Sequence, residues 1–116
     1  MTTSVNFIPV KSIGRIRFIA VEDIIWIKGA ANYVEIHLQE GMILHRETLS
    51  SLAERLDSEL FVRVHRSAIV NIEQLHEISS ELGRYSLVEL KNGQEIRIGD
   101  AYRRNLFQSL GLGAAS

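Results

Sequence analysis

The chain has 116 residues, 46% apolar and 23% charged, and its 13 Lys and Arg stand against 14 Asp and Glu for a net charge of −1. This length fits one domain with a single core, and the near-neutral balance excludes a protein that grips polyanions by bulk charge alone. Without cysteine there is neither a disulfide framework nor a thiolate metal centre; the apolar runs are too short for a membrane span and no signal-peptide pattern opens the chain, so a cytoplasmic setting is expected.

In chain order, Asn6 to Val10 and Arg15 to Ala20 read as strands, the first an edge strand because Pro9 cannot donate a ladder hydrogen bond. Ile24 to Lys28 and Tyr33 to Leu38 follow, separated by Gly29-Ala30-Ala31-Asn32. Met42 to Arg46 comes after a turn at Glu40-Gly41. Leu49, Leu52, Ala53 and Leu56 form one apolar stripe at helical spacing, with Thr48 as its N-cap. His76 to Glu81, Tyr85 to Leu90 and Glu95 to Ile98 are further strands. Asn92-Gly93 predicts a two-residue type I′ hairpin, which needs positive φ at both positions. Tyr102, Leu106 and Leu110 predict a helix from about Ala101 to Leu110, capped by Asp100 and stopped by Gly111 and Gly113.

The segment FVRVHRSAIVN (61–71) departs from ordinary strand patterning. Arg63, His65 and Arg66 crowd together with no acid between Glu59 and Glu73, although Glu73, Glu77, Glu81 and Glu89 gather just beyond. Arg presents a planar fork matched to phosphate or to guanine O6 and N7, and Asn32 offers an amide suited to adenine. The small residues Gly29 to Ala31 would let backbone approach a partner closely. The bland alternatives are that Asn32 caps a bulge, that Arg63 covers a sheet face with its stem, and that Arg66 is a turn residue. The four histidines show no metal-ligand spacing, and His37 reads as a solvated strand residue. Ser67 lacks the glycine-flanked elbow of a catalytic serine, and there is no phosphate-binding glycine loop. Neither an enzyme nor a cofactor or metal protein is expected.

Taken in order, IIWIKGAANYVEIHL (24–38), ILHRETLSSLAERL (43–56), FVRVHRSAIVNIEQLHEI (61–78) and LKNGQEIRIGDAYRRNL (90–106) resemble LytTR-type (LytR/AlgR family) DNA-binding domains, output modules of many bacterial response regulators. The resemblance runs from about Ile8 to Leu110. It implies a mainly β fold of roughly ten short strands in packed sheets with two short helices. Residues 1–116 would form one such domain, with a core over about 8–110 and a disordered tail at 111–116. Loops and strand ends, rather than a helix, would enter successive major grooves on one side of the duplex and bend it.

Carried over by position, the resemblance puts base-reading side chains at Asn32 and Arg66, with His65 beside the latter, and a backbone contact at Arg46; Ser67 in the same corner is expected to hold a phosphate as well. A third base-reading position, often Arg in the family, falls on Asp100. Aspartate cannot donate to guanine, so its expected role is the helix N-cap, and Arg97, Arg103 and Arg104 are expected to take over as phosphate contacts. Phe61 and Asn71 fall on structural positions. The implied partners are double-stranded DNA with repeated half-sites, a second copy of the chain on that DNA, and an upstream receiver or sensor domain. The alternative is a protein-interaction module of the same fold that does not bind DNA.

Overall fold

A computed structural model describes residues 4–113. Ten strands form three antiparallel sheets, in keeping with the expected mainly β architecture. Strands β1 (Phe7–Ser12) and β2 (Arg15–Ala20) pair as a two-stranded ribbon with Pro9 opposite Phe18. Strands β3 (Ile24–Ala30), β4 (Tyr33–Leu38), β5 (Gly41–His45), β6 (Phe61–His65) and β7 (Ala68–Asn71) make a central sheet in the order β5-β4-β3-β7-β6. A third sheet has the order β10-β9-β8, from β8 (Leu75–Glu81), β9 (Arg84–Leu90) and β10 (Glu95–Arg97). Helices α1 (Leu49–Arg55) and α2 (Arg103–Ser109) complete the fold. Among the described residues no helix is long and apolar enough to cross a membrane.

The length led us to expect one core; the apolar residues instead form two clusters, one on each face of the central sheet. Ile24, Ile27, Val34, Ile36, Phe61 and Ile69 join Ile8, Val10 and Ile19 of the ribbon and Leu49 and Leu52 of α1. On the other face Trp26, Val62, Val64 and Val70 pack with Val88, Leu90 and Ile96 of the third sheet and Leu106 and Phe107 of α2. The middle strands therefore carry apolar residues on both faces, which is why 24–27 reads as an unbroken run. A register shift between Ile24 and Trp26 sends the consecutive Ile25 and Trp26 to the same side. Each fully buried Ile or Leu contributes about 1.5–3 kcal/mol through area removed from water.

Several local expectations change. Only Gly93 has positive φ at the β9–β10 connection, where its N–H bonds to Leu90 O at 2.9 Å and Leu90 N–H bonds to Gln94 O. This is a three-residue hairpin with a left-handed glycine rather than a type I′ turn. Asp100 does not cap a helix: residues Asp100–Tyr102 form a 3-10 turn without a side-chain cap, and α2 begins at Arg103. Gly111, at φ +70°, donates to Gln108 O, and Leu112 N–H reaches Phe107 O, the double bond pattern of a Schellman stop; the expectation for 114–116 falls outside the described residues. His37 is half-buried rather than solvated, stacked on Trp26 with ring centroids 4.4 Å apart and bonded to Glu35 at 3.1 Å.

Candidate nucleic-acid interface

The segment 61–71 folds back on itself as β6 and β7, so that Arg66 and Ser67 alone turn the corner. Phe61, Val62, Val64, Ile69 and Val70 are buried and anchor it, while Arg66 is exposed. Asn71 is 1% exposed, its amide nitrogen donating to Ile24 O and its oxygen accepting from Glu73 N–H, both at 2.9 Å. With both ends of the amide satisfied, Asn71 fixes where β7 ends and ties it to the start of β3.

The corner is a ridge between two depressions. The first, about 350 Å³, is lined by Gly29, Ala30 and Ala31, by Thr48, Leu49 and Ser50 at the start of α1, and by Arg63, Arg66 and Ser67. The second is lined by His65, Ser67 and Ala68 together with Trp26, Lys28, Arg97 and one acid, Glu95. Lys28, which no pattern in the sequence marked, thus joins Arg97 and His65 on one surface. A third hollow carries His65 and Arg97 on to Gly99 and Asp100. Arg66, Arg97 and Arg46 are exposed, and none has an acidic partner among the described residues.

Asn32 is exposed in the two-residue turn between β3 and β4, beside Ala31, which is held at φ +55° next to the first depression. The small residues here serve an internal approach. Gly29 donates to Ser67 O at 2.8 Å, and a Cβ on it would come within 2.9 Å of Leu49 Cβ. Glycine therefore lets α1 sit against β3, where the sequence had pointed to a close approach by a partner.

His65 and Ser67 act together. Ser67 N–H donates to His65 Nδ1 at 3.1 Å, and Ser67 Oγ lies 2.9 Å from the same nitrogen. A backbone N–H can only donate, so Nδ1 must be the acceptor and the neutral ring carries its proton on Nε2. Ser67's hydroxyl proton is then directed to Nδ1, which makes this side chain an orienter of His65 rather than a free phosphate donor. Arg103 also departs from expectation. It is 9% exposed, with Nε donating to Tyr85 O at 2.7 Å and Nη2 to Asp100 at 3.0 Å. Asp100 additionally lies 3.6 Å from Arg84. These contacts lock Arg103 into the support beneath the surface. Arg104 is exposed on the first turn of α2 and lines none of the three depressions.

Glu47 organises the approach to α1, and nothing in the sequence pattern marked it. Its carboxylate accepts from His45 Nε2 at 2.9 Å, from Ser51 Oγ at 2.8 Å and from Arg55 at 2.6 and 3.2 Å. Burial alone would raise its pKa, but the hydrogen bonds from Arg55, His45 and Ser51, with the charge of Arg55, outweigh that and hold it below the ordinary glutamate value. Thr48 next to it caps α1, accepting from Ser51 N–H at 3.1 Å as expected. Away from this surface, the β8–β9 pairing gathers His76, Glu77 and Glu89 so that their ligand atoms lie within 4.8 Å of one another. That juxtaposition is invisible to sequence spacing, and mainly exposed groups of this kind gather on protein surfaces without holding an ion.

Comparison with known proteins gives the family of the chain. The chain is 29% identical over 105 residues to the sensory transduction protein LytT of Enterococcus faecalis, spanning 90% of this chain and 43% of that protein. It is 28% identical over 112 residues to the transcriptional regulatory protein LytR of Staphylococcus aureus, spanning 94% and 46%. A 71-residue stretch is 34% identical to the heme-containing CO-sensing transcriptional regulator RcoM 1 of Paraburkholderia xenovorans, covering 61% of this chain and 27% of the relative. The chain thus spans less than half the length of each. The fold superposes with a TM-score of 0.80 and 18% identity on the LytTr DNA-binding domain of a protein described as a methyl-accepting/DNA response regulator from Bacillus cereus, covering 93% of this chain and 99% of that one. Together with a family profile that matches residues 14–111, this makes the chain a member of the LytTr DNA-binding domain family.

Proposed function

We propose that the chain binds double-stranded DNA sequence-specifically, as the output domain of a bacterial transcriptional regulator, with the β6–β7 corner as its principal reader. The observation that carries this is Arg66, an exposed side chain in the two-residue turn between β6 and β7, without an acidic partner among the described residues. A free planar fork on a ridge has the shape and chemistry to pair bidentately with guanine in a major groove. Asn32 reads a second base from the neighbouring turn, and His65 supplies Nε2–H as a donor beside Arg66. Arg46, Lys28, Arg97 and Arg104 hold phosphates. Arg103 and Ser67 act from within, the first supporting α2 and the second orienting His65. Two copies on repeated half-sites, and an upstream receiver or sensor domain in a longer protein, complete the reading; relatives named as transcriptional regulators support it.

The test is selection of bound duplexes from a random DNA pool, followed by fluorescence anisotropy on the selected site and on random duplex. Arg66→Ala should weaken binding to the selected site by about 1–3 kcal/mol, roughly 5- to 150-fold, and leave random-duplex binding nearly unchanged. Failure of any sequence to be enriched at low salt would overturn the reading and favour a protein-interaction role for the same fold.

A further inference from the structure

Arg63 lies in the same basic segment as Arg66, yet its guanidinium turns inward to the protein. Nη2 donates to the backbone oxygen of Arg66, and Nε reaches the backbone oxygen of His65 at 3.4 Å. Nη1 donates to Ser50 Oγ in the first turn of α1 at 3.1 Å. The carbon at the centre of the guanidinium lies 5.5 Å from the centroid of the Tyr102 ring, in the 3-10 turn before α2. One side chain therefore connects the two successive carbonyls of the corner to both helical segments that flank it. The corner needs such support, because the β6–β7 register shifts between Arg63 and His65. An irregularity of this kind interrupts the ladder and re-aims the chain.

We propose that Arg63 is the positioning residue of this interface: it aims Arg66 without contacting DNA itself. The inference rests on the DNA-binding reading above. Only a planar guanidinium can do this, since three of its N–H groups point in different directions at once to two carbonyls and a hydroxyl while its face lies against Tyr102. Lysine keeps the charge but gathers its donors on one nitrogen, so it cannot span both carbonyls and the Ser50 hydroxyl at once and leaves the corner free to swing. A merely electrostatic role predicts the reverse, that lysine would substitute well.

The experiment is a double-mutant cycle with Arg66→Ala and Arg63→Lys in the 116-residue chain, on the selected duplex and on random duplex over a range of salt. Thermal melting reports folding of each variant. The expected result is that R63K loses most of the preference for the selected site that R66A loses, while the salt slope and random-duplex binding stay unchanged, because no phosphate contact is lost. Adding R66A to R63K should then cost less than about threefold, against the full loss seen in the unmodified chain. Ser50→Ala, which removes one anchor and no charge, should lower the preference in the same direction by less, and serves as the variant should R63K fail to fold. In the free protein, 15N relaxation should show increased motion at the Arg66 and Ser67 amides of R63K or S50A and unchanged motion in β9. An equal R66A penalty in both backgrounds would overturn the inference while leaving the DNA-binding reading intact. A shallower salt slope in R63A that R63K restores would make Arg63 a direct phosphate contact and also overturn it. No effect of R66A in the unmodified chain would sink both.

Discussion

Glu47→Gln removes one charge and almost no volume, and it isolates the contribution of a single carboxylate that ties His45 to Ser51 and Arg55 of α1. The side chain is 15% exposed and accepts from three residues, including a two-pronged contact from Arg55. Glutamine can keep the Ser51 or His45 contact but must turn its NH₂ toward one of the present donors. The loss of hydrogen bonds to a charged, half-sheltered group is worth about 1.5–3 kcal/mol. For a domain of this size that corresponds to a fall of roughly 5–15 °C in melting temperature. The pH dependence has a definite sign. Glu47 has a lowered pKa in the folded state, so its contribution is present above the unfolded glutamate value and is lost as pH falls through the folded value. The stability gap between the unmodified chain and E47Q should therefore be full at neutral pH and close progressively below the ordinary glutamate range. Urea denaturation from pH 7 down to pH 3 measures it. An E47Q midpoint equal to that of the unmodified chain at neutral pH, or a gap that does not shrink on acidification, would refute the reasoning.

Three further outcomes are expected. Gly29→Ala places a methyl 2.9 Å from Leu49 Cβ and should destabilise by about 1–3 kcal/mol through overpacking, measured by chemical denaturation; since α1 must shift, preference for the selected duplex should fall as well. Asn71→Ala leaves Ile24 O and Glu73 N–H without their partner and should cost about 1–3 kcal/mol in the same assay, with no change in salt slope. Arg103→Met should lower the melting temperature, because Tyr85 O and Asp100 lose their donor, yet leave the slope of log affinity against log salt unaltered, whereas loss of a true phosphate contact reduces that slope by about one.

What could be read from the sequence follows from the range of the interactions involved. The stripe of α1 with Thr48 as cap, the strands bounded by Gly and Asn, and the His65-Arg66-Ser67 corner depend on neighbours within a few residues, and all appear in the fold. Asp100 has the sequence position of an N-cap, but Arg103 three residues on and Arg84 across the sheet take its carboxylate. Arg103 looked like a surface cation because nothing local reveals that Tyr85 O awaits it. Glu47 and the inward contacts of Arg63 escaped for the same reason: Arg55 lies eight residues from the first, and Ser50 thirteen from the second. The second core was hidden because a length argument counts residues and not the faces of a sheet, although the run Ile24 to Ile27 was already apolar on both.

The arginines divide by what they meet, and that division explains how a chain with a net charge of −1 can present a basic surface. Arg17, Arg55, Arg84 and Arg103 each have a carboxylate within 4.0 Å, so their charge is compensated inside the protein. Arg63 meets only carbonyls, a hydroxyl and a ring. Arg15, Arg46, Arg66, Arg97 and Arg104 have no carboxylate within 4.0 Å among the described residues, and Arg66 and Arg97 fall on the surfaces that flank the corner. The field that DNA would feel depends on this second set. A carboxylate beside Arg66 would pair with it in the free protein, and binding would have to break that pair before any base could be read. A handful of phosphate contacts also makes for weak binding by one module, with a salt slope set by that small number. For the proposed regulator, a second copy on an adjacent half-site then adds affinity by raising effective concentration rather than by adding charge, and specificity stays with the few side chains that the corner holds in place.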